Sequence, residues 1–365
     1  MPKPIRWGIL GTGFISGQFA QGLQLLPDAE LRAIGSRTQT AAQEFARCFN
    51  VPRTYSRYEE LVKDPDIDVV YVGTPHHRHQ ADCLMCLEAG KAVVCEKPFM
   101  LNAQEAREVI ELARAKQLFC MEAMWMRFMP LIQQVQTLIN SGEIGTTRLL
   151  TADFGTAMAY DPKSRFFNLE LGGGALLDRG VYLLSLAIRL FGTPESVVSQ
   201  ATIGETGVDE QSAIVLKFPQ GQLATLSCSL RSYSTNEAVI VGDRGKIVIH
   251  EPFYRPHRIS VMQSPEPVAL TTGMVHFKPG LKQKLKQHPL VQRFKGLLMP
   301  LVRKSTTIVE PIAGNGFGYE AAEVMRCLRN GELESPLMPL DETLRIMETM
   351  DLIRSQWKLK YPQEE

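Results

Sequence analysis

Near its start the chain carries Gly11, Thr12, Gly13, Phe14, Ile15 and Ser16 between the β-rich run IRWGIL and the amphipathic stretch SGQFAQGLQLL. A strand that turns on glycine into a helix aims backbone N–H groups at the positive helix end, where a pyrophosphate binds. Gly11 permits the tight turn and Gly13 the close approach. The third position must be small for helix and strand to touch, and Ser16 stands there, followed by Gly17. Alone this is a slight signal, but here it opens a repeating pattern. The runs ELRAIGS, VVYVG, AVVCE and QLFCM alternate with TAAQEFARCF, RHQADCLMCLEAG and AQEAREVIELARAK, whose apolar residues recur every three or four positions. Such a βαβ series predicts an α/β chain with a doubly wound parallel sheet over residues 1–122. A glycine turn without a ligand is the less favoured reading.

The second strand ends at Ser36, Arg37 and Thr38, where an NAD site would place a carboxylate on the ribose 2′-hydroxyl. Two hydroxyls and a guanidinium suit a 2′-phosphate instead, so NADP(H) is expected over NAD(H). Arg37 as a solvated surface residue remains the alternative.

At 365 residues the chain is too long for a single core, and two domains are expected. WMRFMPLIQQVQTLINSGEIG predicts a further helix. After Gly145 the pattern becomes one strand, TTRLLTADFG, one helix, GGALLDRGVYLLSLAIRLFG, and then the strands SVVSQATI, SAIVLKF, LATLSCSL, EAVIVGD, KIVIHE and HRISVMQ. Residues 123–365 are thus expected to form an α/β domain with an open, mainly antiparallel sheet. Its uncovered face predicts a homodimer. Forty basic against 39 acidic residues leave a net charge of +1, which favours neither nucleic acid nor an anionic membrane as a partner. There is no signal-like segment and no apolar run near the ~20 residues of a membrane span, so a cytoplasmic protein without integral membrane contact is expected. The seven scattered cysteines, mostly in apolar stretches, read as reduced, buried thiols, and Cys83 and Cys86 as core packing rather than a redox pair. A basic insertion near 266–310 breaks the pattern. It contains a possible helix with Leu290, Val291, Phe294, Leu297 and Leu298 on one face, read as a lid or interdomain helix in preference to a membrane-binding one.

Glu96, Lys97 and Pro98 end a strand at the carboxyl edge of the first sheet, where ligands of open α/β folds bind. Proline stiffens that exit. In the second domain Asp178, Tyr182, Ser185 and Arg189 fall at helical spacing on an otherwise apolar helix. Loss of hydride from a carbinol carbon requires loss of the hydroxyl proton as well. Tyr182 is read as the base that takes it, with its pKa lowered by Lys97 and with Asp178 orienting Lys97 or the substrate. Tyr182 as a core ring with its hydroxyl on Asp178 is the structural alternative. Phe128, Phe154 and Phe166 are read as an apolar wall of the substrate site.

In order, GTGFIS, TPHHRH, EKP, EAMWMRF and GGGALLDRGVY resemble the glucose–fructose oxidoreductase, inositol dehydrogenase and rhizopine-catabolism family, in particular its dihydrodiol and NADP-dependent D-xylose dehydrogenase branch. The resemblance covers about residues 4–265 and returns at GNGFGYEAAEVMRCLRNGELESP. It implies a Rossmann domain followed by a dimerising α/β domain, with Lys97, Asp178 and Tyr182 at the catalytic centre. It also implies that Thr74, Pro75, His76 and His79 line the cofactor, with Glu96 beside them, and that Trp125 and Arg127 flank nicotinamide and substrate. A metal on the histidines is not expected, because their spacing lacks a second ligand cluster. The expected function is NADP(H)-dependent hydride transfer to or from a hydroxyl or carbonyl carbon of a sugar, cyclitol or cyclic diol. A non-catalytic NADP(H)-binding regulator is the alternative.

Overall fold

The computed structural model describes residues 3–264 and 305–364. Its first sheet holds β1 (Ile5–Leu10), β2 (Ala29–Gly35), β3 (Arg53–Tyr55), β4 (Val69–Val72), β5 (Ala92–Glu96) and β6 (Cys120–Ala123), in the order β3-β2-β1-β4-β5-β6. All neighbours run parallel. Helices α1 (Phe14–Leu23), α2 (Gln39–Phe49), α3 (Tyr58–Leu61), α4 (His79–Glu88) and α5 (Ala103–Ala115) connect the strands. Every residue of β4 and β5 is buried, as a parallel sheet covered on both faces requires. Cys83 and Cys86 lie buried in α4 as free thiols. Cys48 is exposed, against the expectation of buried cysteines.

The segment expected as one helix from Trp125 divides. A 3₁₀ turn covers Trp125–Phe128, and α6 (Pro130–Asn140) starts afresh with proline in its first turn. Proline lacks the N–H that an unbroken helix would need there.

The second sheet is built from β7 (Thr147–Gly155), β8 (Ser196–Ile203), β9 (Asp209–Lys217), β10 (Leu223–Ser229), β11 (Ala238–Gly242), β12 (Gly245–Ile249), β13 (Arg258–Gln263) and β14 (Ser305–Val309). Its order is β14-β13-β12-β11-β7-β10-β9-β8. Only β7 and β10 pair in parallel; every other pair is antiparallel. The alternation in β10 sends Ala224, Leu226 and Cys228 inward, towards the helix α7 (Val181–Phe191), and Leu223, Thr225 and Ser227 outward. Val198, Val215 and Leu223 stay exposed on the outer face. The expected amphipathic helix in the basic segment lies outside the described residues, and Ser305–Val309 of that segment form the edge strand on β13.

Two last helices, α8 (Phe317–Asn330) and α9 (Leu340–Trp357), return to the first domain. α8 crosses α1 where Gly22 meets Gly318; a Cβ on Gly22 would lie 2.7 Å from the Gly318 nitrogen. α9 packs on both α5 and α7, so the two sheets share a helical layer beside the cleft between them.

Candidate active site

At the glycine turn Gly11 has φ +96°, and a Cβ there would meet the Gly73 carbonyl oxygen at 2.7 Å. Gly13 has open space where a side chain would stand, and α1 begins behind it with no side-chain cap and no acidic residue in its first turn. That leaves an unblocked positive helix end. Ser16 at the third position fits because β4 is followed by Gly73; a Cβ on Gly73 would lie 2.4 Å from the Ser16 hydroxyl. Helix and strand therefore touch with the serine on one side and the bare glycine on the other. Phe14 is exposed and Ile15 half-buried. Ser36 and Thr12 share a hydroxyl hydrogen bond of 3.2 Å, and Thr38 caps α2 by accepting from the Ala41 N–H. Arg37 is exposed and makes no ion pair among the described residues, so its guanidinium is free for a ligand.

The candidate chemical centre lies where the β5 exit meets the N-terminal end of α7. A wide π turn, Leu176–Gly180, precedes α7 and carries Asp178, so the expected single helix changes pitch between Asp178 and Tyr182. Such turns occur often at functional sites. Lys97 reaches across, its Nζ donating to the Asp178 carbonyl at 3.0 Å and to its carboxylate at 3.3 Å. The same ammonium lies 4.9 Å from the centre of the Tyr182 ring. Phenol and ammonium thus converge from two distant stretches of chain. Ser185 and Arg189, on the same stripe, serve elsewhere: they bond Arg127 and Glu342.

Burial alone would raise the Asp178 carboxyl, but Lys97, Arg165 and Arg179 overcome that and hold it well below the usual carboxylate range. Burial lowers Lys97, with Asp178 opposing. Tyr182 requires a correction. The expected lowering of its pKa does not occur: burial, then the nearby Glu96, push the phenol well above its ordinary value. Lys97 faces the ring rather than the hydroxyl, and its charge is largely answered by Asp178. The hydroxyl accepts a 2.8 Å hydrogen bond from the Trp125 indole, while its own proton has no acceptor among the described residues. It is oriented as a proton donor.

Around it stand Trp125, stacked on Phe317 at 4.7 Å, and Phe154, edge-on to Tyr182 at 5.5 Å and stacked on Tyr254 at 4.5 Å. Phe166 lies beneath the Arg165 guanidinium. His76 is buried, its Nδ1 bonded to the Gly172 carbonyl, which ties the TPHHRH loop to the triple glycine. The Thr74 hydroxyl is buried without a partner, an orphan beside Pro75 that a ligand could satisfy. Glu96 turns inward, accepting from the Tyr71 hydroxyl and the Lys97 N–H.

Three expectations are corrected. His79 does not face the cleft: it is fully buried, with its ring nitrogens against the carbonyls of Pro98, Phe99 and Thr74, so it fastens the β5 exit to the neighbouring loop. Arg127 is buried and its guanidinium nitrogens are bonded to Ser185, Leu337 and Glu342, leaving it to brace α7 against α9. Phe128 is packed in the core, and no ring contact joins it to Tyr182 among the described residues. Sequence reasoning missed Arg165, Arg179, Tyr254 and Phe317. Arg179 was visible as the residue next to Asp178. The other three come from loops and a helix end whose approach no local pattern reports.

Residues 5–124 match the family described as "Oxidoreductase family, NAD-binding Rossmann fold", and residues 132–248 match the Gfo/Idh/MocA C-terminal domain. The chain belongs to the Gfo/Idh/MocA oxidoreductase family. This oxidoreductase is 34% identical over 364 residues to the trans-1,2-dihydrobenzene-1,2-diol dehydrogenases of Bos taurus and Homo sapiens, covering 99% of each chain. Among solved structures it resembles a 3-ketoreductase from Actinomadura kijaniata in complex with NADP and TDP-benzene. That likeness has a TM-score of 0.79 at 24% identity and covers 97% of this chain and 98% of that one. A levoglucosan dehydrogenase in complex with NADH and L-sorbose gives 0.80 at 19% identity, over 97% and 96%. The parallel sheet, the mainly antiparallel sheet and the family expected from the sequence all stand.

Proposed function

We propose that the chain is an NADP(H)-dependent dehydrogenase interconverting a hydroxyl and a carbonyl carbon of a sugar, cyclitol or cyclic diol. One observation carries this reading. The Tyr182 hydroxyl is held by Trp125 with its own proton unspent, its ring beside a buried ammonium at the carboxyl edge of the sheet whose first strand ends in the dinucleotide turn. Such a group moves a proton at an oxygen whose carbon exchanges hydride. The names of the diol dehydrogenase relatives support the reaction class.

The residues present fit the dinucleotide. The Gly11–Gly13 turn and the α1 end would take its pyrophosphate, Arg37 with Ser36 its 2′-phosphate, and Thr74 its ribose side. When bound it supplies the hydride. Tyr182 gives its proton to the carbonyl oxygen in reduction and recovers it in oxidation. Lys97 steadies the developing oxyanion, and Asp178 holds Lys97 in place. Dihydronicotinamide absorbance with a panel of aldoses, inositols and dihydrodiols tests the reading. Binding of NADPH without turnover of any member would favour a sensor instead.

Cofactor choice follows from Arg37. A charge-assisted bond to phosphate contributes about 1.5–3 kcal/mol, so Arg37→Asp should weaken NADPH about 10- to 100-fold and leave NADH within a few-fold. Equal weakening of both, measured by fluorescence titration, would remove Arg37 from the site. The uncovered outer face of the second sheet, with Val198, Val215 and Leu223, is proposed as the homodimer contact. Light scattering giving the 40.8 kDa mass of one chain would refute it.

A further inference from the structure

Asp178 has three cationic neighbours: Lys97 at 3.3 Å, Arg165 at 3.1 Å and Arg179 at 3.2 Å. Even with Glu96 counted as a second anion, the cleft keeps an excess of positive charge. The excess sits with Arg165, half-exposed at the rim, whereas the buried Lys97 and Arg179 are matched in number by Asp178 and Glu96, so what the cleft leaves open is donors rather than buried charge.

Arg179 is the sharpest part of it. Its Nε is close to the Asp178 carboxylate but not aligned for a hydrogen bond, and it is buried without a hydrogen-bond partner. Among the described residues its Nη2 has only the Met158 sulfur as a hydrogen-bond partner, at 3.7 Å. The guanidinium rests on the Phe154 ring at 4.6 Å, and Phe154 stands edge-on to Tyr182. The donors of a rigid fork are thus set one aromatic ring away from Tyr182, with no oxygen accepting a hydrogen bond from them among the described residues. Arg165 lies flat on Phe166 at 4.0 Å and is half-exposed at the rim.

A neutral polyol would accept from these donors one at a time and would not pair with the rim charge of Arg165. A planar guanidinium matches carboxylate or phosphate oxygens two at a time, and aromatic backing keeps it from folding away. We propose that Arg179, assisted by Arg165, makes this site selective for a carbohydrate bearing an oxyanion, a carboxylate or a phosphate, close to the carbon that reacts. The proposal rests on the dehydrogenase reading for the reaction but not for the binding.

The test titrates the NADPH-bound full chain with D-glucose, D-glucuronate and D-glucose 6-phosphate by calorimetry, and follows NADP-linked turnover of the same three. At least one anionic member should bind about 10-fold or more tightly than glucose. The arm that does so distinguishes carboxylate from phosphate. Arg179→Met should bring that ratio to within about 2-fold and Arg165→Met should reduce it partially, with NADPH affinity retained as the sign of an intact fold. If Arg179→Met does not fold, Arg179→Lys keeps the charge, loses the fork and should lower the ratio. Glucose binding as tightly as both anions, no binding of either anion, or a preference that survives Arg179→Met would each overturn the proposal. Turnover of neutral sugars alone overturns it and leaves the dehydrogenase reading standing. Arginine-dependent anion binding without turnover of any member does the reverse.

Discussion

Tyr182→Phe should lower kcat for carbonyl–hydroxyl interconversion by about 10²- to 10⁴-fold, the usual contribution of a positioned proton donor or acceptor. The change removes one oxygen. The ring keeps its edge contact with Phe154 and its neighbour Tyr254, so the wall of the cleft is unaltered. Trp125 loses its acceptor, which costs about 1 kcal/mol of stability and leaves NADPH affinity within a few-fold. A large fall in kcat with a melting temperature lowered by no more than about 1–2 °C and cofactor affinity within a few-fold therefore separates proton transfer from packing. The raised pKa adds a direction. Because burial keeps the phenol neutral, carbonyl reduction by the wild type should hold its rate as pH rises through neutrality and into the mildly alkaline range. Turnover within about 3-fold of wild type in Tyr182→Phe would move the proton-carrying role to another group.

The contrast between Tyr182 and Arg127 shows what could be read before any coordinates. Periodicity reports which residues share a face of one element, and Asp178 and Tyr182 share one even through the π turn. Together with Lys97 at a strand exit, this was enough to name three residues that the structure brings together. Periodicity does not report which neighbour that face meets. Ser185 and Arg189 lie on the same stripe yet bind Arg127 and Glu342, because α9, far away in sequence, comes to rest against α7. Arg127 and His79 look functional in sequence through the family resemblance, which carries over a position but not the partners it meets in this chain. The structure satisfies both from backbone carbonyls and a remote carboxylate. The sign of the Tyr182 shift was equally hidden. It depends on burial and on where the Lys97 charge points, and a list of neighbours in the chain contains neither. Arg179 presents the opposite case: adjacent to Asp178 in sequence, it acquires meaning only when Phe154 is seen beneath it.

Asp178→Asn is expected to be the most damaging substitution for stability, and its pH dependence distinguishes charge from shape. Asparagine fills the same volume and retains one acceptor, so packing is conserved. It leaves Lys97 and Arg179, both largely buried, without their counter-charge, while the half-exposed Arg165 can turn to solvent. Breaking a buried pair on one side costs about 3–5 kcal/mol, and the freedom of Arg165 favours the lower end. For a chain of this size that corresponds to a fall in Tm of about 4–6 °C. The folded-state pKa of Asp178 is depressed, so its stabilisation is present above the unfolded value of about 4 and is lost as pH falls through the folded value. The gap between wild type and variant should therefore close in acid. It should also narrow in alkali. Lys97 is already lowered by burial, and without Asp178 it loses the influence that opposed this, so the variant sheds the uncompensated ammonium at a lower pH than the wild type does. Calorimetric melts from about pH 2 to pH 10 would resolve both arms. A gap of constant width across that range would mean that the geometry of the π turn, rather than the charge at its centre, is what Asp178 maintains.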